Sequence, residues 1–368
     1  MIGIVAALAG AFLVLLALAD GFETMVLPRT VRRRWRLSSL WFDHSWEIVK
    51  RTERRRGDGG RQSRLAAWAA LQIPILVAIW AAMFVVGFGL IYAGLRTPTA
   101  NGPIPFGEAV YMSGVTFFTL GFGDVTPTTA AGRAVSVLEA GLGFGFLAVV
   151  ISFVPTIYGG FSRREATMLR LDSRAGSRPT GAEILRRHVE ARAPDELGEL
   201  FREWEEFSSV LLEGYLSFPV LGFYRSQHDD QSWLRSLVAV MDAAAIVQLG
   251  WEGEEPEWFP RVRHRAKACF AMGRHLLVDY AYLLDVAPDR EPRLRDLRPV
   301  VGAVRSGGWC APPGERTELL LRGLSELYEP FAAGLGEDIL LELPAWLPDG
   351  VRPDNWEISA WDGNRHRD

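Results

Sequence analysis

The sequence "TLGFGD" at positions 119–124 is the most informative stretch of this 368-residue chain. Two glycines alternate with bulky apolar residues, and the hexapeptide lies between two long uncharged runs. Glycine accepts backbone angles that other residues resist, so a strand with glycine at every second position can turn successive carbonyl oxygens to one side. Closely spaced oxygens are what a cation needs in place of its water. The spacing predicts one wall of a cation site, and several copies must surround the axis.

Three long runs with little or no charge predict three membrane spans. Residues 2–19 and 65–95 carry no charged side chain, and residues 134–160 carry only Glu139. A helix needs roughly 20 apolar residues to cross a bilayer. The predicted transmembrane helices are a first helix at 1–20, an outer helix at 65–95 and an inner helix at about 133–160.

The segment at 21–64, between the first two runs, is strongly basic. It holds twelve Lys and Arg residues from Arg29 to Arg64, and short loops of this composition stay cytoplasmic. Its tryptophans suit an interfacial helix with aromatic side chains toward lipid and arginines toward anionic headgroups. We therefore expect a multi-pass protein of the plasma (inner) membrane, with the amino terminus outside and the carboxyl-terminal domain in the cytoplasm.

An alternative for the first run is a signal peptide, because "ALAD" at 17–20 has the small residues of a cleavage site. However, no basic residue follows Met1 directly, whereas many arginines follow the run. Cleavage would also leave the basic segment outside and invert the rest of the chain. A retained first span is therefore favoured.

The segment between the second and third runs predicts a re-entrant loop. The residues "EAVYMSGVTFF" favour a short helix at about 107–118, with Glu108 in its first turn. This helix is too short to cross the membrane. The strand at 119–124 follows it, and non-helical backbone is tolerated at that depth only where protein or a water-filled cavity surrounds it. The pattern predicts a pore domain at about 65–162.

The hexapeptide resembles the signature strand of the potassium channel pore, Thr-Val-Gly-Tyr-Gly-Asp, with Leu120 for valine and Phe122 for tyrosine. The resemblance covers roughly residues 66–160. It implies a subunit of a bacterial, one-pore-per-subunit channel that conducts K⁺ passively and is not an enzyme. Because each chain has one such strand, it also implies a homotetramer with cyclic symmetry. K⁺ would be the permeating ion, and no cofactor is implied.

The resemblance also assigns roles to single residues. The selectivity filter is Thr119, Leu120, Gly121, Phe122, Gly123 and Asp124. K⁺ would be held by oxygens of the first four, and Asp124 would mark the outer mouth. A gating hinge is implied at Gly143. Pro155 is a second hinge candidate on its own chemistry, because a proline predicts a kink or, as an equal alternative, the end of the helix. The Gly-Phe-Gly copy at 87–89, by contrast, predicts close helix packing in lipid.

Two departures from the family pattern leave other functions open. Phe118 stands where threonine or serine is common, and Phe122 lacks the tyrosine hydroxyl, so the polar surroundings of the filter are weakened. One alternative is therefore a weakly selective cation channel. The other is a membrane receptor whose pore element is vestigial and whose soluble domain binds a partner.

The rest of the chain predicts a linker at 163–183 and a helical cytoplasmic domain at 184–368. The segments "DDQSWLRSLVAVMDAAAIVQLG" and "GERTELLLRGLSELYEP" favour amphipathic helices, and no run of alternating strands occurs. In "RSQHDDQSW", a helix cap is favoured over a metal or proton site. The overall prediction is an all-α membrane protein: three transmembrane helices with a re-entrant pore helix and filter loop, plus a helical cytoplasmic domain.

Composition and motifs exclude several function classes. Residues 1–162 hold 14 Lys/Arg and 9 Asp/Glu, whereas the remainder holds 26 and 35, and an acidic soluble part gives no support to nucleic-acid binding. Cys269 and Cys310 predict neither a disulfide framework nor a zinc site. No nucleotide-binding glycine motif follows a strand. The ligand of the cytoplasmic domain and the gating stimulus stay open.

Overall fold

The computed structural model of the chain describes residues 1–26, 36–56, 60–228, 231–348, 350, 354 and 357. It contains two compact units, Met1–Gly159 and Gly160–Asp368. Throughout the described residues the regular structure is helical, apart from one short two-stranded hairpin. The prediction of an all-α membrane protein is confirmed.

The first unit is made of long helices around a short one. Its elements are α1 (Ile2–Met25), α2 (Leu37–Arg55), α3 (Arg61–Gly94), β1 (Pro98–Thr99), β2 (Gly102–Pro103), α4 (Phe106–Phe117) and the first part of α5 (Ala130–Ala175). Helices α1, α3 and α5 are long and apolar enough to cross a membrane. The three predicted spans are thereby confirmed.

Helix α1 packs antiparallel along α3 through small residues. Gly3 lies against Gly94, and Gly10 lies against Gly87. A Cβ on Gly10 would stand 2.3 Å from the carbonyl oxygen of Gly87, so these helices approach as closely as small residues permit in lipid. This is the packing role that the sequence predicts for the Gly-Phe-Gly copy in the outer helix.

Helix α2 lies in the basic segment, but two of its three aromatic side chains pack on protein and do not face lipid as predicted; Trp35 lies outside the described residues. The ring of Trp46 packs against Trp68 of α3, with centroids 4.7 Å apart, and Phe42 packs against the same ring at 5.2 Å. Trp46 is only 6% exposed. The apolar side chains exposed on α2 are Leu40 and Ile48. The prediction was wrong because α3 offers these aromatic rings a protein surface on which to pack.

An aromatic cluster holds the carboxyl end of α4. The ring of Phe117 stacks on that of Phe84 of α3, with centroids 5.2 Å apart. The ring of Phe146 of α5 lies 5.5 Å from Phe84 and 5.9 Å from Phe117. Such ring contacts stabilise the fold beyond what the burial of apolar surface alone contributes. The cluster therefore anchors the end of α4, where the strand at 119–124 begins.

Helix α5 is longer than predicted, so most of the predicted linker at 163–183 is wrong. The helix continues to Ala175. Its last turns carry Met168 and Leu171, which are buried in the second unit, and burial of this apolar face stabilises the helix. Gly176, with φ of 90°, then ends it. Pro155 lies inside the helix, so helix termination at that proline is excluded.

The second unit is helical, as predicted. Its elements after α5 are α6 (Gly181–Glu190), α7 (Pro194–Ser217), a 3₁₀ turn (Pro219–Phe223), α8 (Trp233–Val247), α9 (Phe259–Leu283), α10 (Arg298–Ser306), α11 (Glu315–Ser325) and α12 (Glu329–Ile339). Within the described residues of this unit no β-strand occurs.

Helix α8 occupies the centre of the second unit. Every residue of it except Arg235 is buried, because α6, α7, α9 and α11 surround it. The sequence predicts only one buried face here. The only carboxylate of α8, Asp242, pairs with Arg293 at 2.6 Å, which compensates its burial.

The cap of α8 lies two residues later than the charged pair in "RSQHDDQSW". The hydroxyl of Ser232 accepts a hydrogen bond from the backbone N–H of Arg235 at 3.1 Å. His228 is exposed, and Asp229 and Asp230 lie outside the described residues. Among the residues that are described, no group of three His, Cys, Asp or Glu side chains could hold a metal ion.

Candidate functional site

The strand at 119–124 has an alternating backbone. Thr119, Gly121 and Gly123 have φ of 56°, 64° and 77°, whereas φ is negative at Leu120 and Phe122. Glycine accepts this left-handed region without penalty, but for Thr119 it costs roughly 1–2 kcal/mol. Residues are held in such strained conformations mainly at functional sites.

The first three N–H groups of this strand point toward the end of α4. Leu120 and Gly121 both donate to the carbonyl of Val115, at 2.9 and 3.4 Å, and Thr119 donates to that of Thr116 at 3.1 Å. When left-handed and right-handed residues alternate, the N–H groups point to one side of the backbone. The carbonyl oxygens then point to the opposite side. Within the described part of the chain, no backbone N–H donates to the carbonyls of residues 119–122.

Asp124 is tied to the pore helix α4. Its Oδ2 accepts a hydrogen bond from the hydroxyl of Tyr111 at 2.8 Å, and its Oδ1 accepts one from the N–H of Val125 at 3.1 Å. A tyrosine therefore holds the end of the strand although Phe122 has no hydroxyl. The role of Tyr111 could not be predicted from the sequence, because a single tyrosine in a short apolar helix carries no distinguishing signal.

A second polar contact lies behind the pore helix. Glu139 of α5 is fully buried, and it accepts hydrogen bonds from the hydroxyls of Tyr92 in α3, at 2.7 Å, and of Ser113 in α4. Tyr92 also lies 3.1 Å from the hydroxyl of Ser136. A charged residue in an apolar span needs partners. The sequence therefore indicates that Glu139 has polar partners, but it does not indicate which residues they are.

Gly143 lies against the carboxyl end of the pore helix. A Cβ at this position would stand 2.1 Å from the carbonyl oxygen of Phe117, so only glycine fits without displacing α4. By contrast, a Cβ at Gly141 or Gly145 would meet no atom of the same subunit within 4 Å. Close packing against α4 thus explains why a glycine stands at 143. The role of Gly143 as a gating hinge stays a prediction, as does that of Pro155.

The structure brings the predicted filter residues and Gly143 to the same end of α4. Residues 119–124 leave the last turn of that helix, and Gly143 contacts it from α5. Pro155 lies further along α5, away from this end. The site thus consists of one strand, the helix that carries it and the two spans that hold the helix.

Residues 75–158 match the family described as ion channel. The chain is 23% identical over 198 residues to the uncharacterized membrane protein YdjJ of Bacillus subtilis (strain 168), which covers 52% of this chain and 57% of that protein. It is 37% identical over 59 residues to the two pore potassium channel c of Oryza sativa subsp. japonica, which covers 16% of this chain and 13% of that protein. The chain thus spans little more than half of the first relative and a small part of the second. No solved structure matches it.

The matched residues contain most of α3, the whole of α4, the alternating strand and the membrane part of α5. An ion channel family is not an enzyme class, and both the matched family and the bacterial relative agree with a multi-pass membrane protein. The resemblance of "TLGFGD" is confirmed: the ion channel match over residues 75–158 and the similarity to a potassium channel support a pore segment of the potassium channel pore superfamily.

Proposed function

We propose that four copies of this chain form a potassium-selective channel, in which K⁺ moves passively past the carbonyl oxygens of the strand "TLGFG". The observation that carries the proposal is the alternating backbone of Thr119, Gly121 and Gly123. With the N–H groups of Thr119, Leu120 and Gly121 bonded to α4, the strand has its carbonyls available for an ion. Ladders of such oxygens replace the hydration shell of K⁺ in filters of this kind, and the hydroxyl of Thr119 extends the ladder by one oxygen.

The exposed apolar residues of a single subunit support an assembly. In one chain Phe118, Leu120 and Phe122 are 58%, 58% and 66% exposed. A second group of exposed apolar side chains lies on the membrane part of α5, and consists of Val137, Leu138, Phe144, Leu147, Ile151 and Val154. Neighbouring copies around a shared axis would cover many of them, and a closed ring is what one filter strand per chain requires.

The proposal includes the membrane in which the channel works. The basic segment from Arg29 to Arg64 faces the cytoplasm and anionic headgroups of the plasma (inner) membrane, with the amino terminus outside. Among its described residues, Arg51, Arg55 and Arg56 are exposed beside the exposed Ile48, a combination of charge and apolar surface that suits a lipid interface. The carboxyl-terminal domain lies in the cytoplasm, and its ligand is unknown.

Potassium flux from reconstituted vesicles tests the proposal. We expect K⁺ efflux from vesicles that contain the full-length protein, and none with Gly121→Asp, because a side chain at φ of 64° distorts the strand. Gly107→Asp is the matched control: it introduces the same side chain in the first turn of α4, where its Cβ meets no atom within 4 Å and a carboxylate is favourable. Absence of flux with the wild type under all conditions would favour the receptor alternative.

Reversal potentials test potassium selectivity. A weakly selective cation channel has one specific observation in its favour, since Phe118 and Phe122 bring no hydroxyl to the surroundings of the strand. Tyr111 and Glu139 offset this loss with polar contacts of their own. With K⁺ on one side and Na⁺ on the other, we expect a reversal potential close to the K⁺ equilibrium value. A value near zero would assign the weakly selective function instead.

A further inference from the structure

Glu139 is a buried carboxyl group at the point where three helices meet. It lies on α5, and its two oxygens accept hydrogen bonds from Tyr92 of α3 and Ser113 of α4. All three side chains are buried: Glu139 and Ser113 are 0% exposed and Tyr92 is 1% exposed. Each carboxyl oxygen therefore has its own donor from a different helix.

A carboxyl group is a costly choice for this position. Burying a polar group without hydrogen bonds is strongly unfavourable, and a well-packed apolar side chain of similar volume often serves stability equally well or better. What an apolar side chain cannot do is accept two directed hydrogen bonds. The arrangement around Glu139 therefore points to a positioning role: the two hydrogen bonds fix where α4 lies along the lengths of α3 and α5.

The position of α4 in turn sets the position of the filter strand. Ser113 precedes Val115 by two residues, and the carbonyl of Val115 accepts the N–H groups of Leu120 and Gly121. One turn after Glu139 on the same face of α5, Gly143 lies against the carbonyl of Phe117. Helix α5 thus contacts α4 through the carboxyl group and the glycine, in addition to the ring of Phe146 in the aromatic cluster. A displacement of α4 is passed directly to the first oxygens of the strand.

We propose that Glu139, together with Tyr92 and Ser113, is a positioning group that determines the ion selectivity of the filter. This inference rests on the proposed function, since selectivity presupposes conduction. The hydrogen bonds hold α4 at the depth at which the carbonyl oxygens of the strand match K⁺. When they are lost, the aromatic cluster still anchors α4, but the strand becomes free to shift and accepts Na⁺ as well.

The test measures the K⁺-to-Na⁺ permeability ratio of full-length tetramers in bilayers. Glu139→Leu removes both acceptors and Tyr92→Phe removes a single oxygen, and we expect each to lower the ratio by roughly tenfold, which corresponds to the loss of one buried hydrogen bond. Glu139→Gln is the conservative variant: its amide can still pair with both hydroxyls, so the ratio should recover toward the wild-type value. Asp20→Leu is the matched control for Glu139→Leu, because Asp20 is also a buried carboxyl group with partners on two other helices, but its hydrogen bonds go to Ser38 of α2 and Trp80 of α3 and not to α4.

Each outcome decides one question. If wild-type tetramers select K⁺ and Tyr92→Phe selects it equally well, the positioning role is wrong while the proposed function stands. A wild type without selectivity overturns the proposed function and this inference together. An equal loss with Asp20→Leu shows a general effect of disturbing the unit and also overturns the inference. Should Glu139→Leu fail to assemble, as judged by its elution as a tetramer, Tyr92→Phe decides alone, because it keeps the ring and its packing.

Discussion

Gly143→Ala is the substitution whose effect is most directly set by the structure. The new Cβ would stand 2.1 Å from the carbonyl oxygen of Phe117, about 1.3 Å inside an ordinary contact. Overpacking of this kind costs roughly 1–3 kcal/mol, while replacing a helical glycine by alanine gains about 1 kcal/mol. Gly141→Ala, two positions earlier on the same helix, meets no atom of its own subunit within 4 Å and should show the gain alone. The two variants should therefore differ by roughly 1–3 kcal/mol per subunit.

Thermal unfolding of the purified full-length protein, followed by tryptophan fluorescence, measures this difference. Since 1 kcal/mol corresponds to about 2–4 °C for a domain of intermediate size, we expect Gly143→Ala to melt roughly 2–12 °C below Gly141→Ala. Equal melting temperatures for the two variants would refute the packing role of Gly143. If Gly143→Ala is as stable as Gly141→Ala but gates differently, the hinge role predicted from the sequence would be supported instead.

Three further predictions concern the filter end and the second unit. Tyr111→Phe removes the hydrogen bond to Asp124 and should shorten the conducting periods of the channel in single-channel recordings, whereas unchanged periods would show that the bond is dispensable. Arg164→Met breaks the ion pair with Glu165 and leaves two backbone carbonyls, at 2.8 and 2.9 Å, without their donor, so it should cost roughly 3–5 kcal/mol in thermal denaturation. Arg235→Met, whose partner is exposed, should cost about 1 kcal/mol or less in the same measurement. Burial lowers the pKa of His188. As the pH falls, this histidine is therefore protonated in the unfolded chain before it is protonated in the folded protein. Stability should therefore fall as the pH drops through about 6.5, and His188→Gln should reduce that fall in melting temperature.

The membrane architecture could be predicted from the sequence because its signals are local. The spans are continuous apolar runs, and the short helix at about 107–118 was expected within one residue of its observed bounds, Phe106–Phe117. The alternating strand follows from glycine spacing, which is a property of the backbone itself. In these cases a composition or a conformational preference over a few consecutive residues is sufficient.

The errors arose where a surface provided by another part of the chain decided the outcome. The predicted linker at 163–183 contains charged residues throughout, yet the buried Met168 and Leu171 keep it helical to Ala175. The aromatic side chains of α2 were expected in lipid because the sequence did not reveal that Trp68 lies beside Trp46. In both segments, contacts with residues elsewhere in the chain determined the structure, and the local composition did not.

By itself, the sequence determined that this chain crosses a membrane, that a short helix and a glycine-alternating strand lie between two spans, and that a helical domain follows. Only the tertiary structure decided what holds the strand: the partners of Glu139 are 26 and 47 residues away from it. The physical reason is the range of the interactions. Hydrophobicity and backbone freedom act on neighbouring residues and can be counted along a chain, whereas a buried hydrogen bond exists only where folding brings a donor to an acceptor.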